Sequence, residues 1–228
     1  MKAVILAAGE GTRLRPLTND KPKPLVNING KPFIHYLLRN IKKAGIKNIG
    51  IVAGYRKEMI EDFLSGAKIH ASIIEQPKRL GTGHAVKLTE DFIDGEDFIV
   101  LMGDNLYSTE DIKAISREDG CVVAGISHPK PEKFGVIVEN NGIIKDIIEK
   151  SKAPTSNIIN AGLYKFTIDI FPALKKIKKS ERGEFELTSA VTALAKAGTV
   201  KLYTMKDYWL DVGCLDDIKK VEEFLKGK

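Results

Sequence analysis

The residues best suited to chemistry cluster near the start of the chain. Gly9-Glu10-Gly11-Thr12-Arg13 follows an apolar run, and Lys21-Pro22-Lys23-Pro24 comes shortly after it. A glycine-rich turn after a strand is where open sheets bind phosphates, at the carboxyl ends of the strands. Gly9 and Gly11 let the backbone approach a ligand and aim N–H groups at it. Arg13 can fork onto phosphate oxygens, and Lys23 supplies a mobile point charge. Two better-known phosphate loops do not fit. The dinucleotide fingerprint needs a third glycine where Leu14 stands. The P-loop needs two glycines five apart, then Lys and Ser/Thr, and Gly9 has no such partner.

Further groups follow along the chain. In Gln76-Pro77 and Leu80-Gly81-Thr82-Gly83-His84, an amide that donates and accepts at once can read the edge of a pyrimidine. Gly81 and Gly83 would let a flat base lie against the backbone. A surface glutamine before a helix turn is the plain alternative, weakened because Gln76 is the single Gln of the chain. Leu101-Met102-Gly103-Asp104-Asn105 ends an apolar strand and aims Asp104 at the same crevice. A carboxylate there is a turn residue, or it holds the divalent metal that accompanies a polyphosphate. Mg²⁺ takes one or two carboxylates plus phosphate oxygens and water. Asp211, in Trp209-Leu210-Asp211-Val212-Gly213, is too distant in sequence for spacing to pair it with Asp104. Gly135 permits backbone approach, Glu149 can accept from hydroxyls, Lys150 can hold a phosphate, and Asn160 offers donor and acceptor. Glu186 reads equally as a first-turn helix residue favoured by the dipole. His35, His70, His84 and His128 show no ligand spacing and read as structural or exposed. No Ser-His-Asp or Cys-His arrangement can be argued.

These residues need a scaffold, and the hydrophobic pattern supplies one. Residues 2–8, 48–53, 69–75 and 98–102 read as strands; 33–44, 57–65 and 82–92 read as helices. This alternation predicts an α/β fold, Rossmann-like, with a mixed, mostly parallel sheet flanked by helices. Residues 121–127, 134–139 and 143–149 read as a small antiparallel insertion, with Asn140-Asn141-Gly142 as a hairpin turn. A strand at 158–166, helices at 168–178 and 186–197, strands near 200–204 and 208–211, and a helix at 216–226 complete the reading. With 228 residues, 43% hydrophobic and 29% charged, the chain can form a packed core rather than a disordered coil. No linker or repeat divides it, so one domain over 1–228 is expected. No stretch approaches the ~20 apolar residues of a membrane span, and two cysteines make no framework, which suits a cytoplasmic setting. The formal net charge of +6 comes from 29 Lys and 7 Arg against 30 acids. The lysines alternate with Asp and Glu, unlike a nucleic-acid-binding face, so neither nucleic acid nor membrane is an expected partner. A Lys-rich, Gln-poor chain also resembles heat-adapted proteins.

The run from Ala7 to Thr18, followed by Lys21-Pro22-Lys23-Pro24-Leu25, resembles the signature of sugar-1-phosphate nucleotidylyltransferases, the NDP-sugar pyrophosphorylases. The later motifs fall in that family's order. The resemblance implies nucleotide contacts from Ala8, Gly9, Gly11, Thr12, Gln76, Gly81 and Thr82, within a nucleotide half at about 1–115. It implies sugar-phosphate contacts from Gly135, Glu149, Lys150 and Asn160, within a second half at about 116–228. It makes Asp104 and Asp211 the ligands of Mg²⁺, and Arg13, Lys23 and Asp104 the catalytic set. The implied substrates are UTP or dTTP and a sugar 1-phosphate, with glucose or N-acetylglucosamine favoured. Together they carry about −5 to −6 charge. The phosphate oxygen of the sugar would attack the α-phosphorus in line and expel pyrophosphate. It is already an anion, so no general base is needed, and positioning with electrostatic stabilisation suffices.

Two other classes compete. One is a cytidylyl- or guanylyltransferase of the same fold. The other is a non-catalytic sugar-nucleotide-binding regulator, which would be expected to lose the Arg, Lys and Asp positions kept here. The sequence shows no hexapeptide β-helix after Asp211, so acetyltransferase activity is not expected. A monomer or small homo-oligomer is the expected assembly.

Overall fold

The computed structural model describes residues 1–227; Lys228, the end of the expected domain range, lies outside the described residues. The first apolar run fixes the centre of the molecule. In β1 (Lys2–Leu6) every residue after Lys2 is buried. Successive side chains leave a strand on opposite faces. Ala3, Ile5 and Ala7 enter one apolar cluster, and Val4, Leu6 and Ala8 enter another. An unbroken apolar run is what a strand covered on both faces requires.

A short hairpin, β2 (Asn27–Ile28) with β3 (Lys31–Pro32), leads into α1 (Phe33–Lys43), which buries Phe33, Ile34, Leu37, Leu38 and Ile41 on one stripe. Then come β4 (Asn48–Ala53), α2 (Lys57–Gly66), β5 (Ser72–Glu75), α3 (Thr82–Lys87), α4 (Glu90–Ile93) and β6 (Phe98–Met102). β7 (Asn105–Tyr107), α5 (Thr109–Ser116), β8 (Cys121–Ser127), β9 (Gly135–Asn140) and β10 (Ile143–Glu149) follow. The chain ends with β11 (Ile158–Phe166), α6 (Ile170–Leu174), α7 (Leu187–Ala195), β12 (Val200–Thr204), β13 (Trp209–Asp211) and α8 (Leu215–Lys226).

Nine strands form one mixed sheet in the order β5-β4-β1-β6-β11-β8-β12-β10-β9. β5, β4, β1 and β6 are parallel, as the β-α rhythm demands. β11 runs antiparallel to β6 and β8, while β12 runs parallel to β8. Helices α1, α2, α5 and α8 cover one face, and α3, α4, α6 and α7 the other. No described helix is long and apolar enough to cross a membrane.

Some elements differ from the sequence pattern. The expected helix at 82–92 is broken after Lys87, where fully buried Thr89 turns its hydroxyl back to Val86 O at 2.7 Å. The helix at 168–178 shrinks to Ile170–Leu174, ahead of a lysine-rich exit. The insertion is split: β9 and β10 form the expected hairpin across Asn141-Gly142, both with positive φ. β8 leaves them for the centre of the sheet, between β11 and β12. β7 and α5, between residues 105 and 116, had no counterpart in the reading.

Candidate active site

β1 delivers Ala8 and Gly9 to a crevice of about 430 Å³ beyond the strand ends. Lys23, Gln76, Arg79, Thr82 and Asp104 also line it. The first loop is tied down by Thr18, whose hydroxyl donates to Gly11 O at 2.8 Å. Gly11 is left-handed (φ 67°), and a Cβ there would sit 2.8 Å from Lys23 Cβ. Glycine therefore lets the Lys23 segment close on the loop. Lys23 begins a short 3-10 turn between Pro22 and Pro24, whose rings fix φ on either side. The side chain is buried, and its Nζ lies 2.7 Å from Asp104 Oδ2. Two groups that the sequence reading gave separate tasks thus form one charge pair. Thr12 and Arg13 sit in the exposed part of the loop, outside the crevice walls.

Gln76 is buried, with its Nε2 donating to Gly81 O at 3.1 Å and to His84 Nδ1 at 3.0 Å. Burial, and then the Lys87 charge, hold the His84 pKa below its ordinary value, so a neutral ring accepts. Two acceptors on Nε2 fix the amide orientation and leave Oε1 as the acceptor for a ligand. His84, read from sequence as structural, is therefore a partner of Gln76.

The glycines of this loop have another task than the one expected. A Cβ at Gly81 would lie 2.5 Å from Phe185 O, and one at Gly83 would lie 2.9 Å from it. The backbone packed there is the chain's own segment 183–187. Phe185 N donates to Leu80 O, Gly83 N to Phe185 O, and Leu187 N to the Thr82 hydroxyl oxygen at 3.0 Å. Glu184 of this strap lines the crevice.

Asp211 arrives through a two-stranded ribbon. β13 pairs antiparallel with β7, placing Asp211 opposite Asn105. Val212 N donates to Asp104 O and Ser108 N to Tyr208 O, so Asn105 and Asp211 form a non-hydrogen-bonded pair with side chains on one face. Burial, and then the Asp104 charge, raise the Asp211 pKa from 3.8 to about 6; Lys23 and Arg13 oppose the rise. Asn105 Nδ2 donates to Ala161 O, while its buried Oδ1 has no hydrogen-bond partner. Two carboxylates beside an orphaned carboxamide oxygen are hard donors, suited to Mg²⁺ completed by phosphate and water. No group of three or more His, Cys, Asp or Glu that could hold a metal by itself occurs among the described residues.

The other candidates lie elsewhere. Gly135 and Glu149 are cross-strand partners in the β9–β10 hairpin. Glu149 and Lys150 line a second hollow of about 540 Å³ with Arg182, Glu186 and Thr192. Lys150 has φ 49° and is held by its N–H to Phe134 O. Glu186 N-caps α7 and accepts from Ser180 and Arg182, which settles its structural part. Asn160 Oδ1 accepts from Gly162 N and one Nδ2 hydrogen goes to Tyr164 OH, leaving one donor hydrogen and one lone pair for a ligand. The reading from sequence passed over Arg79, which pairs with Glu10 at 2.9 Å across the crevice loops. Its signal was its place between Gln76 and Gly81.

A mixed sheet with a glycine loop, a buried lysine and paired aspartates at its strand ends defines a nucleotide-handling α/β protein. The chain belongs to the nucleotidyl transferase family, whose profile matches residues 2–228. It is 40% identical to the bifunctional protein GlmU of Methanocaldococcus jannaschii, over the whole of this chain and 55% of that protein. It is 36% identical to the UTP–glucose-1-phosphate uridylyltransferase AglF of Haloferax volcanii, over 99% of this chain and 97% of that one. The chain thus spans about half the length of the GlmU relatives and nearly all of AglF. Among solved structures, a UDP-glucose pyrophosphorylase complexed with UDP-glucose superposes with a TM-score of 0.88 at 27% identity, covering 100% of this chain and 99% of that one. A Bacillus anthracis protein described as a glucose-1-phosphate thymidylyltransferase superposes at 0.90 with 29% identity, covering 100% and 96%.

The raised Asp211 pKa gives a stability prediction. The folded chain holds this proton up to about pH 6, whereas the unfolded chain loses it near 3.8. The cost of the buried charge therefore grows from about pH 4 and is complete above about pH 6. In metal-free buffer, Asp211→Asn should raise Tm by about 3–6 °C at pH 8, with the gain shrinking toward pH 4. Thermal melts across that range check it; a variant no more stable at pH 8 contradicts it.

Proposed function

We propose that the chain transfers a nucleotidyl group from UTP or dTTP to a sugar 1-phosphate, releasing pyrophosphate, with Mg²⁺ held by Asp104 and Asp211. The observation that carries this reading is the Lys23–Asp104 pair at 2.7 Å, set in a crevice lined also by Gly9 and Gln76. Anionic phosphate, cation and base edge are thereby all provided for within one hollow. Asp104, Asp211 and the orphaned Asn105 oxygen would hold the metal, which supplies charge neutralisation at the phosphates.

The remaining steps belong to the chain. Lys23 neutralises the α-phosphoryl group as charge builds there, and Arg13 holds the leaving pyrophosphate. Lys150 holds the sugar phosphate for in-line attack. A bond forms between that phosphate oxygen and the α-phosphorus, and the bond to the bridging oxygen breaks. No proton moves, because the attacking phosphate oxygen is already an anion. Gln76 Oε1 suits the N3–H of uracil or thymine; cytosine carries a lone pair there, which the same oxygen would repel. Glucose 1-phosphate is the first sugar to test, supported by the names of AglF and of the pyrophosphorylase neighbour. N-acetylglucosamine 1-phosphate is the second. We place the enzyme in the cytoplasm, where such substrates are made, as one nucleotidyltransferase domain.

A matrix of UTP, dTTP, CTP and GTP against both sugar phosphates with Mg²⁺, scored by pyrophosphate release, tests the reading. Turnover with UTP or dTTP is expected, and turnover confined to CTP or GTP overturns the base assignment. Asp104→Asn should lower kcat by at least ~10²-fold; near-normal Mg²⁺-dependent turnover would remove Asp104 from the metal site. Lys150→Ala should raise KM for the sugar phosphate about tenfold or more, the loss of a charged hydrogen bond, and leave KM for the nucleotide unchanged. The opposite pattern would reverse our division of the two hollows.

A further inference from the structure

Asp111 is a buried carboxylate, 1% exposed, that the proposed reaction does not use and that forms no ion pair among the described residues. It sits in the first turn of α5, after the N-cap Ser108. Each of its oxygens accepts twice. Oδ1 takes Tyr203 OH at 2.8 Å and Lys206 N at 2.9 Å. Oδ2 takes Ser108 OH at 2.8 Å and Asp207 N at 3.1 Å. Burying a carboxylate is costly unless its hydrogen bonds are fully made. Here every donor comes from one of two places. Ser108 directly follows β7; Tyr203, Lys206 and Asp207 lie on β12 and on the turn that leads into β13.

We propose that Asp111 is a positioning residue that sets Asp211 against Asp104 by fixing the register of the β7–β13 ribbon. The ribbon has three residues per strand, too few to hold register unaided. Asp104 and Asp211 lie at one end of it, and Asp111 staples the other. Three residues of strand, about 10 Å, separate the two ends. A slip of one residue would turn Asp211 to the opposite face. Other bonds reach the same end of the ribbon: Ser108 N donates to Tyr208 O, Asn40 Nδ2 to Tyr107 O and Tyr208 OH, and Trp209 Nε1 and Tyr107 OH to Ala161 O; Asp111 adds a hold on two consecutive backbone N–H groups of the incoming turn, at Lys206 and Asp207.

The proposal rests on the reading of Asp104 and Asp211 as metal ligands, so the test includes a control for that reading. In Asp111→Asn, whichever way the amide turns, an NH₂ faces a backbone N–H of Lys206 or Asp207, and that bond is lost. Amide exchange by mass spectrometry on the free protein should then rise at least tenfold in residues 206–212. The Mg²⁺ concentration for half-maximal rate should rise about tenfold, the usual cost of removing a residue that orients metal ligands. KM for glucose 1-phosphate should stay within twofold. Tyr203→Phe, which removes one hydroxyl only, should shift the Mg²⁺ requirement the same way by about two- to threefold, and it decides the matter if Asp111→Asn does not fold. An unchanged Mg²⁺ requirement in a folded variant, with only Tm lowered, overturns the proposal and leaves Asp111 a stability residue. If Asp211→Asn itself leaves the Mg²⁺ requirement unchanged, the metal assignment falls and the positioning role falls with it. A shift in Asp211→Asn without one in Asp111→Asn removes the positioning role alone.

Discussion

Two carboxylates from distant parts of the chain are held close together in a half-buried place, and the rest of the site is arranged around that fact. Burial, and then repulsion by Asp104, leave Asp211 holding its proton to about pH 6. Like charges in a low-dielectric site separate unless the backbone prevents it. The prevention lies in the backbone and its pairing. Asp104 is anchored by the end of β6, whose first four residues are fully buried. Asp211 is anchored by its cross-strand pairing to Asn105. Lys23 then cancels part of the field from 2.7 Å away, and its own position is set by two prolines and by the absence of a side chain at Gly11. Stability is given up at this point, as functional sites commonly require.

The sheet explains why these groups meet. A parallel order β4-β1-β6 brings the loop after β1 and the loop after β6 side by side, so that Gly103 N donates to Leu6 O at 2.9 Å. No side chain is needed for that step; it is a consequence of strand order and of the shared direction of the strands. The ribbon adds what the parallel strands cannot. It leaves the sheet after β6, recruits the segment after β12, and carries Asp211 back across the strand ends. Trp209 and Tyr107, on the same face as Asp211 and Asn105, bond the buried carbonyl of Ala161 where β11 bulges. The bulge in one strand and the ribbon on top of it are thus one construction.

How much of this was legible follows from the range of each interaction. β1, β4 and β6 were readable because a strand buried on both faces must be apolar throughout. The loop at Gly9–Arg13 was readable because glycine and arginine after such a strand serve few other ends. β13 was readable as a strand near 208–211, but β7 was not, since three residues between Asp104 and the start of α5 have no periodicity to detect. Asp111 was invisible for another reason: its four partners lie on segments that sequence places almost a hundred residues apart. Gln76 was found because it is unique in the chain, but its orientation was not, since that depends on His84 and Gly81 taking both ends of one N–H₂ group. Asn160 was legible as an amide with donor and acceptor to offer; that it also braces the bulge in β11 is a matter of register, which composition does not encode.

The loop at residues 80–84 shows why a glycine has to be judged by what stands over it. Open glycines such as Gly9, with nothing within 4 Å of a built Cβ, leave room for a ligand. Gly81 and Gly83 leave room for Phe185. The strap that Phe185 belongs to turns Glu184 toward the first hollow and Glu186 toward the second. It is fastened on both sides of Thr82, whose hydroxyl oxygen takes the N–H of Leu187 as α7 begins. The partition between the two hollows is therefore backbone rather than side chain, and it is pinned to the same loop that orients Gln76. One continuous piece of chain thus borders both hollows and is fastened to the loop that orients Gln76, so the spacing of the two hollows is set by backbone.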